Sequence, residues 1–110
     1  MNDKQEVMNK IVDIVVDCTT SRINEVATVT RDDLLGMSRN ENHVMARSLL
    51  ALQLKHEGFT TTSIALLLKR TEQAIRQMYK AGYDNVANNR ICRKAAAQIV
   101  IECDKLLSEV

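Results

Sequence analysis

Four polar side chains within one short stretch have the chemistry needed to read the edges of base pairs. They are Gln73, Arg76, Gln77 and Lys80. If this stretch is a helix, the four fall on one face, because successive helical residues advance by about 100°. Gln can bond adenine through two hydrogen bonds, Arg can bond guanine, and Lys can serve a base or a phosphate. The spacing therefore predicts a helix that presents a base-reading face to the major groove of a DNA duplex.

Two further residues stand at the start of the same helix, which is predicted over residues 71–84. Thr71 is the expected N-cap, and it would bring the positive end of the helix close to a DNA backbone. Glu72 borders the base-reading face, where its carboxylate would repel phosphate but could accept a hydrogen bond from cytosine. We therefore count Thr71 among the predicted backbone contacts.

The stretch just before this helix predicts a partner helix over residues 61–68. In a helix-turn-helix, the first helix packs a small residue against the second so that the two can cross closely. Ala65 has the right position for that contact, and Ile75 and Met78 follow where the second helix must direct apolar side chains inward. The two helices together predict a helix-turn-helix over residues 61–81.

A second interpretation of the same pattern does not involve DNA binding. Pairs of short amphipathic helices occur in many domains that do not bind DNA, and polar residues on a helix are often only solvated. Lys69 also occupies the turn position that is often Gly in a helix-turn-helix. The alternative is a protein–protein interaction module, with the acidic outer segments and the apolar stripe of the last helix as its working surfaces.

The charges of the chain are unevenly distributed, although its net charge is only +1. Residues 39–94 contain ten basic and four acidic side chains, whereas residues 1–33 contain four basic and seven acidic ones. Residues 95–110 contain one basic and three acidic side chains. The basic excess surrounds the predicted helix-turn-helix, which favours a negatively charged partner at that site.

The composition predicts one all-α domain over residues 1–110. The chain has no proline, three glycines and few aromatic residues, which disfavours a loop-rich β architecture. Apolar residues repeat at helical spacing, so we expect about five to six helices in a single small domain. Besides the helix-turn-helix, they are predicted at about residues 3–27, with a break near 19–21 as the alternative, after Thr30, at 40–57 and at 88–108.

Capping signatures mark several of these helix ends. Thr30 with Asp33, and Ser38 with Glu41, each have the spacing of a capping box. Gly58 is the expected stop of the long helix over residues 40–57, whose apolar circumference predicts a central position. Gly82 is expected near the end of the base-reading helix, where it marks fraying or termination.

Several classes of protein are disfavoured by the sequence. The longest apolar runs are far too short to cross a bilayer, and the N-terminus lacks a signal-peptide pattern. Cys18, Cys92 and Cys103 are odd in number and show no Cys-x-x-Cys spacing, so neither disulfides nor a metal site is predicted. Each cysteine falls on the apolar side of a helix. We expect a cytoplasmic protein in a reducing environment.

No catalytic or cofactor site is predicted either. His43 and His56 are the only histidines, and neither has an acid or a nucleophile at a recognisable spacing. The chain also lacks the Gly-x-x-x-x-Gly-Lys loop that would bind a nucleotide. We therefore expect a protein that is not an enzyme and that carries no cofactor.

Three segments of the chain have a familiar pattern. They are "DDLLGMSR" over residues 32–39, "AR" over residues 46–47, and the register that runs from Ile64 and Ala65 through Arg70 to Ile75. With these, residues 23–80 resemble the C-terminal DNA-binding domain of the bacterial replication initiator DnaA. The resemblance implies a Trp-repressor-like helical fold and binding to double-stranded DNA.

The resemblance also implies roles for individual basic residues. Arg39, in the basic loop of that family, would reach into the minor groove, while Arg47 and Lys55 would hold phosphates. Arg70 matches the arginine of the family's Gly-Arg-Asp-His-Thr signature, whereas Lys69 replaces its first Gly. Apart from the resemblance, two adjacent basic residues in a turn are compatible with phosphate contact, so Lys69 and Arg70 are both expected to contact the DNA backbone. The other positions of that signature have different residues, including those that read bases, so a recognised site different from the initiator's own is expected.

We therefore expect sequence-specific DNA binding, in replication initiation or in transcription control, without ATPase activity. Because it begins at Met1, the chain is expected to be a free-standing module, with a fragment of a longer protein as the alternative. The apolar stripes of the terminal helices allow two interpretations. They could pair two chains into a homodimer that reads two half-sites, or they could close the core of one monomer.

Overall fold

The structure, a computed structural model, describes residues 3–22 and 29–108, and within these ranges it contains helices and no strand. There are six such helices: α1 (Asp3–Arg22), α2 (Arg31–Leu35), α3 (Glu41–His56), α4 (Thr61–Leu68), α5 (Glu72–Asn88) and α6 (Arg90–Ser108). The predicted all-α class is confirmed.

Helix α3 lies at the centre of the fold and packs against each of the other five helices. Its side chains are buried over most of its circumference, including Leu49, Leu50 and Leu54. An apolar helix surrounded by others removes the largest area from water, which is the main favourable term in folding. The predicted central position of this helix is confirmed.

Helices α1 and α6 pack against each other on one side of α3. The buried stripe of α1 includes Ile11 and Val15, and that of α6 includes Ile99 and Cys103. Both stripes therefore contribute to the core of a single chain. A homodimer through the terminal helices would have to use their outer faces.

Two of the predicted helix ends are formed as expected. Thr30 Oγ1 accepts a hydrogen bond from the Asp33 amide, and the Asp33 carboxylate accepts one from the Thr30 amide, which completes the capping box of α2. At the end of α3, Gly58 has a φ of 94°, and its amide donates to Lys55 O while the Phe59 amide donates to Leu54 O. This pattern is a Schellman motif, in which glycine is favoured.

The second predicted capping box is wrong. Asn40 is the N-cap of α3, and its side chain accepts a hydrogen bond from the Asn42 amide. Ser38 lies two residues earlier, where its hydroxyl accepts a hydrogen bond from the Asn40 amide and contacts His43. Ser38 therefore organises the loop before α3 and does not cap the helix itself.

Helix α1 continues to Arg22 without the break considered near residues 19–21. Thr19 is buried, and its hydroxyl donates to the carbonyl of Val15 one turn earlier. This bond back into the same helix satisfies the threonine without interrupting the turn. The predicted continuation of α1 over residues 23–27 lies outside the described residues.

The predicted role of Gly82 is wrong, because α5 continues six residues beyond it to Asn88. Gly82 is buried where α5 crosses α3. A Cβ atom there would lie 2.6 Å from Leu52 Cδ1 and 3.0 Å from the carbonyl oxygen of Ser48. Glycine therefore permits the close approach of the two helices, which a larger residue would obstruct.

Candidate nucleic-acid interface

Helices α4 and α5 are joined by a short turn and pack against each other, and the residues predicted to face inward are buried or partly buried. Ala65 and Ile75 are buried, and Met78 is partly buried against the same core. A further contact joins the start of α4 to α5, since the hydroxyls of Thr61 and Tyr79 lie 3.2 Å apart. These contacts fix the orientation of α5 relative to α4.

The turn between the two helices passes through Lys69, whose backbone is left-handed with φ 56° and ψ 49°. The amide of the next residue, Arg70, donates to Ala65 O and closes the end of α4. A residue with a Cβ pays roughly 1–2 kcal/mol for this conformation, which explains why glycine is common at such turns. Lys69 thus keeps the glycine conformation while it presents a charge.

Helix α5 begins as predicted at an N-cap threonine. Thr71 Oγ1 accepts a hydrogen bond from the Ala74 amide, 3.1 Å away. The remaining amides of the first turn have no partner within the helix, and they carry the positive end of its dipole. The N-terminus of α5 is therefore suited to lie near a phosphate group.

The four predicted base-reading side chains are all exposed on α5: Gln73, Arg76, Gln77 and Lys80. Their face lies opposite the buried residues of the helix, Ile75, Tyr79 and Gly82. On one border of the face, Arg76 Nη2 lies 3.5 Å from Glu72 Oε1, with 63% of the arginine side chain exposed. Such an exposed pair contributes little to stability, so Arg76 is free to exchange Glu72 for another acceptor.

Arg47 does not occupy the position predicted for it. Only 4% of the residue is exposed, and its guanidinium donates to the carbonyl oxygens of Asp33, Leu34 and Ser38 at 2.9 to 3.2 Å. These carbonyls belong to the end of α2 and the loop that follows it. Because its head is turned inward to them, Arg47 is not placed to hold a phosphate, and the prediction for it is corrected.

Arg70 is half-buried and makes a second connection to the same region. Its Nη2 donates to the carbonyl oxygen of Gly36, and its Nη1 donates to that of Leu68, both at 2.7 Å. Burial lowers the pKa of both Arg70 and Arg47, and the charge of Arg70 lowers that of Arg47 further. The two guanidinium groups are therefore close enough to repel each other.

The other residues predicted to contact the DNA backbone are exposed. Arg39 lies in the loop between α2 and α3, and Lys69 lies in the turn of the helix-turn-helix. Lys55, near the end of α3, extends along α5, where its Nζ is 4.7 Å from the ring centre of Tyr79 and 5.5 Å from that of Tyr83. This cation–π contact orients the ammonium group and leaves it accessible to solvent.

The structure also brings together three side chains that sequence reasoning missed. His43 Nδ1 lies 2.9 Å from Ser38 Oγ, and its Nε2 lies 3.6 Å from Asp33 Oδ2. These are the groups of a hydrolase triad, but the hydroxyl already accepts the Asn40 amide and the carboxylate already accepts the Thr30 amide. The arrangement therefore serves the ends of α2 and α3.

The cysteines are placed as small core residues, which agrees with the sequence prediction. All three are buried, and none forms a disulfide bond. Burial raises the pKa of the Cys103 thiol to about 12, so this group stays protonated at neutral pH. A protonated, buried thiol is a poor nucleophile and a poor metal ligand.

Comparisons with known proteins give no identification: no family model, curated protein or solved structure matches the chain. Within residues 3–22 and 29–108, no group of three or more His, Cys, Asp or Glu side chains is placed to hold a metal ion. None of the helices in that part of the chain combines the length and apolar character needed to cross a membrane.

Proposed function

We propose that this chain is a cytoplasmic protein that binds double-stranded DNA by inserting α5 into the major groove. The observation that carries the proposal is the exposed polar face of α5, which stands opposite a buried contact with α4. A helix fixed to its domain on one side and polar on the other is the form in which helix-turn-helix proteins read bases.

The proposed contacts divide into two sets. The base-reading set is Gln73, Arg76, Gln77 and Lys80, whose amide, guanidinium and ammonium groups match the donors and acceptors of the major groove. The backbone set is Arg39, Lys55, Lys69, Arg70 and Thr71, which would fix the position of the protein on the duplex. Arg47 is left out because only 4% of it is exposed and its guanidinium donates to three carbonyl groups, whereas Arg70 is only half-buried.

The resemblance to the C-terminal domain of DnaA supports this proposal and suggests its context. We propose a Trp-repressor-like fold, and a role in replication initiation or transcription control without ATP hydrolysis. Thr71, Glu72 and Gln73 stand where the resembled signature has Asp, His and Thr. The proposed recognition sequence therefore differs from that of the initiator.

The test is a titration of a random-sequence duplex with the whole chain, followed by fluorescence anisotropy at several salt concentrations. We expect binding at low salt and a log–log slope of about −4 to −5, because about four to six phosphates are neutralised. Selection from a random duplex pool should then enrich one sequence. No binding at micromolar protein and low salt would exclude the proposal.

A second candidate, a protein–protein interaction module, is favoured by one observation on α6. Val100 and Leu107 lie two turns apart on one face of this helix, and both are partly exposed, at 36% and 37%. Apolar side chains at this spacing can pack against a partner helix. A chain that fails to bind duplex DNA but associates with a protein through this face would support the second candidate.

A further inference from the structure

Two arginines from different parts of the fold end on the same short segment. Arg47, from α3, donates to the carbonyls of Asp33, Leu34 and Ser38. Arg70, from the turn of the helix-turn-helix, donates to the carbonyl of Gly36, 34 residues earlier in the chain. Together they contact four carbonyls within residues 33–38, the segment that leads directly to Arg39.

The segment has a physical need for these donors. Helix α2 has only five residues, so its last carbonyls have no partner within the helix, and a helix this short is not stable alone. Gly36, its C-cap residue, has an extended backbone and forms none of the usual C-terminal turns. The guanidinium groups supply charge-assisted hydrogen bonds where the turn would otherwise supply backbone ones.

Neither arginine has a carboxylate partner within the part of the chain that the structure describes. The charge of Arg70 lowers the pKa of Arg47, so the two positive groups oppose each other. Burying two cations without a carboxylate partner carries a desolvation penalty. The arrangement does, however, tie the residues before Arg39 to the residue immediately before Thr71, the N-cap of α5.

We propose that Arg47 and Arg70 are positioning residues that hold the loop of Arg39 and the start of α5 as one rigid unit. This inference rests on the proposed function: Arg39 and the face of α5 would then meet the two grooves of one duplex in a fixed register. Order that exists before binding reduces the entropy lost on binding. The loop would contribute to affinity only while Arg70 holds Gly36.

The decisive variant is Arg70→Lys, which keeps the positive charge but cannot bridge two carbonyls as the planar guanidinium does. The matched control is Arg76→Lys, at an exposed arginine of α5. The readout is the hydrogen exchange of the Leu34 and Asn40 amides, which donate to Thr30 O and Ser38 Oγ. We expect these amides to exchange about tenfold faster in Arg70→Lys, while exchange in α3 stays unchanged, since only local opening is affected. Arg76→Lys should leave both unchanged.

A second measurement separates positioning from direct phosphate contact. Arg39→Ala should weaken duplex binding about fivefold or more in the native background, but less than about twofold in the Arg70→Lys background, because contacts that depend on each other are not additive. If Arg70→Lys unfolds the domain, Arg70→Gln, which retains amide donors without the charge, is measured in the same way.

Each outcome decides the inference. Unchanged exchange of the Leu34 and Asn40 amides would show that Arg70 does not hold the loop. If exchange is faster in Arg70→Lys but Arg39→Ala loses the same duplex affinity in both backgrounds, Arg70 holds the loop and binding does not depend on it. If the native chain binds no duplex, the proposed function fails, and exchange alone decides whether the loop is held.

Discussion

The basic residues around the helix-turn-helix form two groups that the structure uses differently. We call Arg47 and Arg70 the inner pair, and the exposed side chains of Arg39, Lys69, Arg76 and Lys80 the outer group. The inner pair donates to backbone carbonyls, whereas no backbone carbonyl accepts from the outer group within the described residues.

The contrast is sharpest where the two groups adjoin. Lys69 and Arg70 are neighbours in the chain, yet Lys69 faces solvent and Arg70 is bonded to Gly36. A basic stretch is therefore not a uniform surface for DNA. What separates the two groups is the presence of a helix end that lacks donors for its own carbonyls. Both members of the inner pair should affect stability, and Arg70 should also affect binding through the loop of Arg39. The outer group should mainly affect binding.

The largest expected effect is the loss of stability in Arg47→Ala. The variant leaves three carbonyls with less hydrogen bonding and opens space beside α2. We expect the free energy of unfolding to fall by about 3 kcal/mol or more, because the donor is charged and buried. Arg76→Ala, an exposed control, should change it by less than about 0.5 kcal/mol. Urea denaturation measures both.

Equal stability of the two variants would contradict the division into inner and outer groups. It would mean that water replaces the guanidinium at the end of α2, and that Arg47 remains available for another role. The same denaturation curves also give the slope against urea, which reports whether the variant still unfolds as one cooperative unit.

The next effect is on binding and concerns Arg76 in the outer group. If Arg76 reads a guanine, Arg76→Ala should lose about 1–3 kcal/mol of discrimination at one base pair. Lys69→Ala should instead weaken all duplexes alike, because phosphate contacts carry no sequence information. The measurement is anisotropy with the selected duplex and its single-base variants. An equal loss across sequences for both variants would refute the assignment of Arg76 to a base.

The sequence predicted the exposed positions of the outer group better than the inward positions of the inner pair, for a physical reason. The spacing of Ala65 and Ile75 defines which side of α5 faces the core, so the exposed face follows from helical periodicity alone. Helix α4 has the predicted bounds of residues 61–68. The capping box of Thr30 and Asp33 is likewise local, since its partners lie three residues apart.

The inner pair depends on contacts that no local pattern contains. The partner of Arg70 lies 34 residues away, and those of Arg47 lie nine to 14 residues away on a different element. Gly82 was misread for a similar reason. A glycine in a helical pattern fits either a helix end or a close crossing, and only the position of Leu52 on α3 decides between them.

A smaller effect is expected at Lys69, where the two roles of one residue can be separated. Lys69→Gly should raise the free energy of unfolding by about 0.5–1 kcal/mol, because removing the Cβ relieves about 1–2 kcal/mol at φ 56° and the greater entropy that glycine loses on folding offsets part of it. It should also make the salt slope of duplex binding less negative by about 1, because one phosphate contact is lost.

The matched control for Lys69→Gly is Lys69→Ala, which removes the same charge but keeps the Cβ in the left-handed conformation. The two variants should bind duplexes equally, and only the glycine variant should be stabilised. A stabilised alanine variant would indicate that the charge of Lys69, next to Arg70, is what costs stability. Unchanged binding in both would remove Lys69 from the proposed backbone contacts.

The smallest expected effect is the pH dependence of stability at the N-terminal end of α2. The Asp33 carboxylate of the capping box titrates there, whereas the arginines at the C-terminal end of α2 stay charged. The amide and hydroxyl of Thr30 hold the pKa of Asp33 below its ordinary value of 3.8, with a further contribution from His43. The folded chain thus binds fewer protons here than the unfolded chain. The stabilisation is complete above pH 3.8 and is lost as pH falls through the lowered pKa.

Asp33→Asn isolates this contribution, because the amide oxygen can still accept the Thr30 amide but carries no charge. The native chain should unfold at a slightly higher temperature than the variant near neutral pH, and the difference should shrink as the pH falls below 3.8. Thermal unfolding followed by circular dichroism measures it. The loss of stability in Arg47→Ala should be the same across this pH range, since the guanidinium of the native chain stays charged throughout. A deficit that disappeared together with the Asp33 contribution would mean that the two ends of α2 form and melt as one unit, and the C-terminal end would then not be held independently by the inner pair.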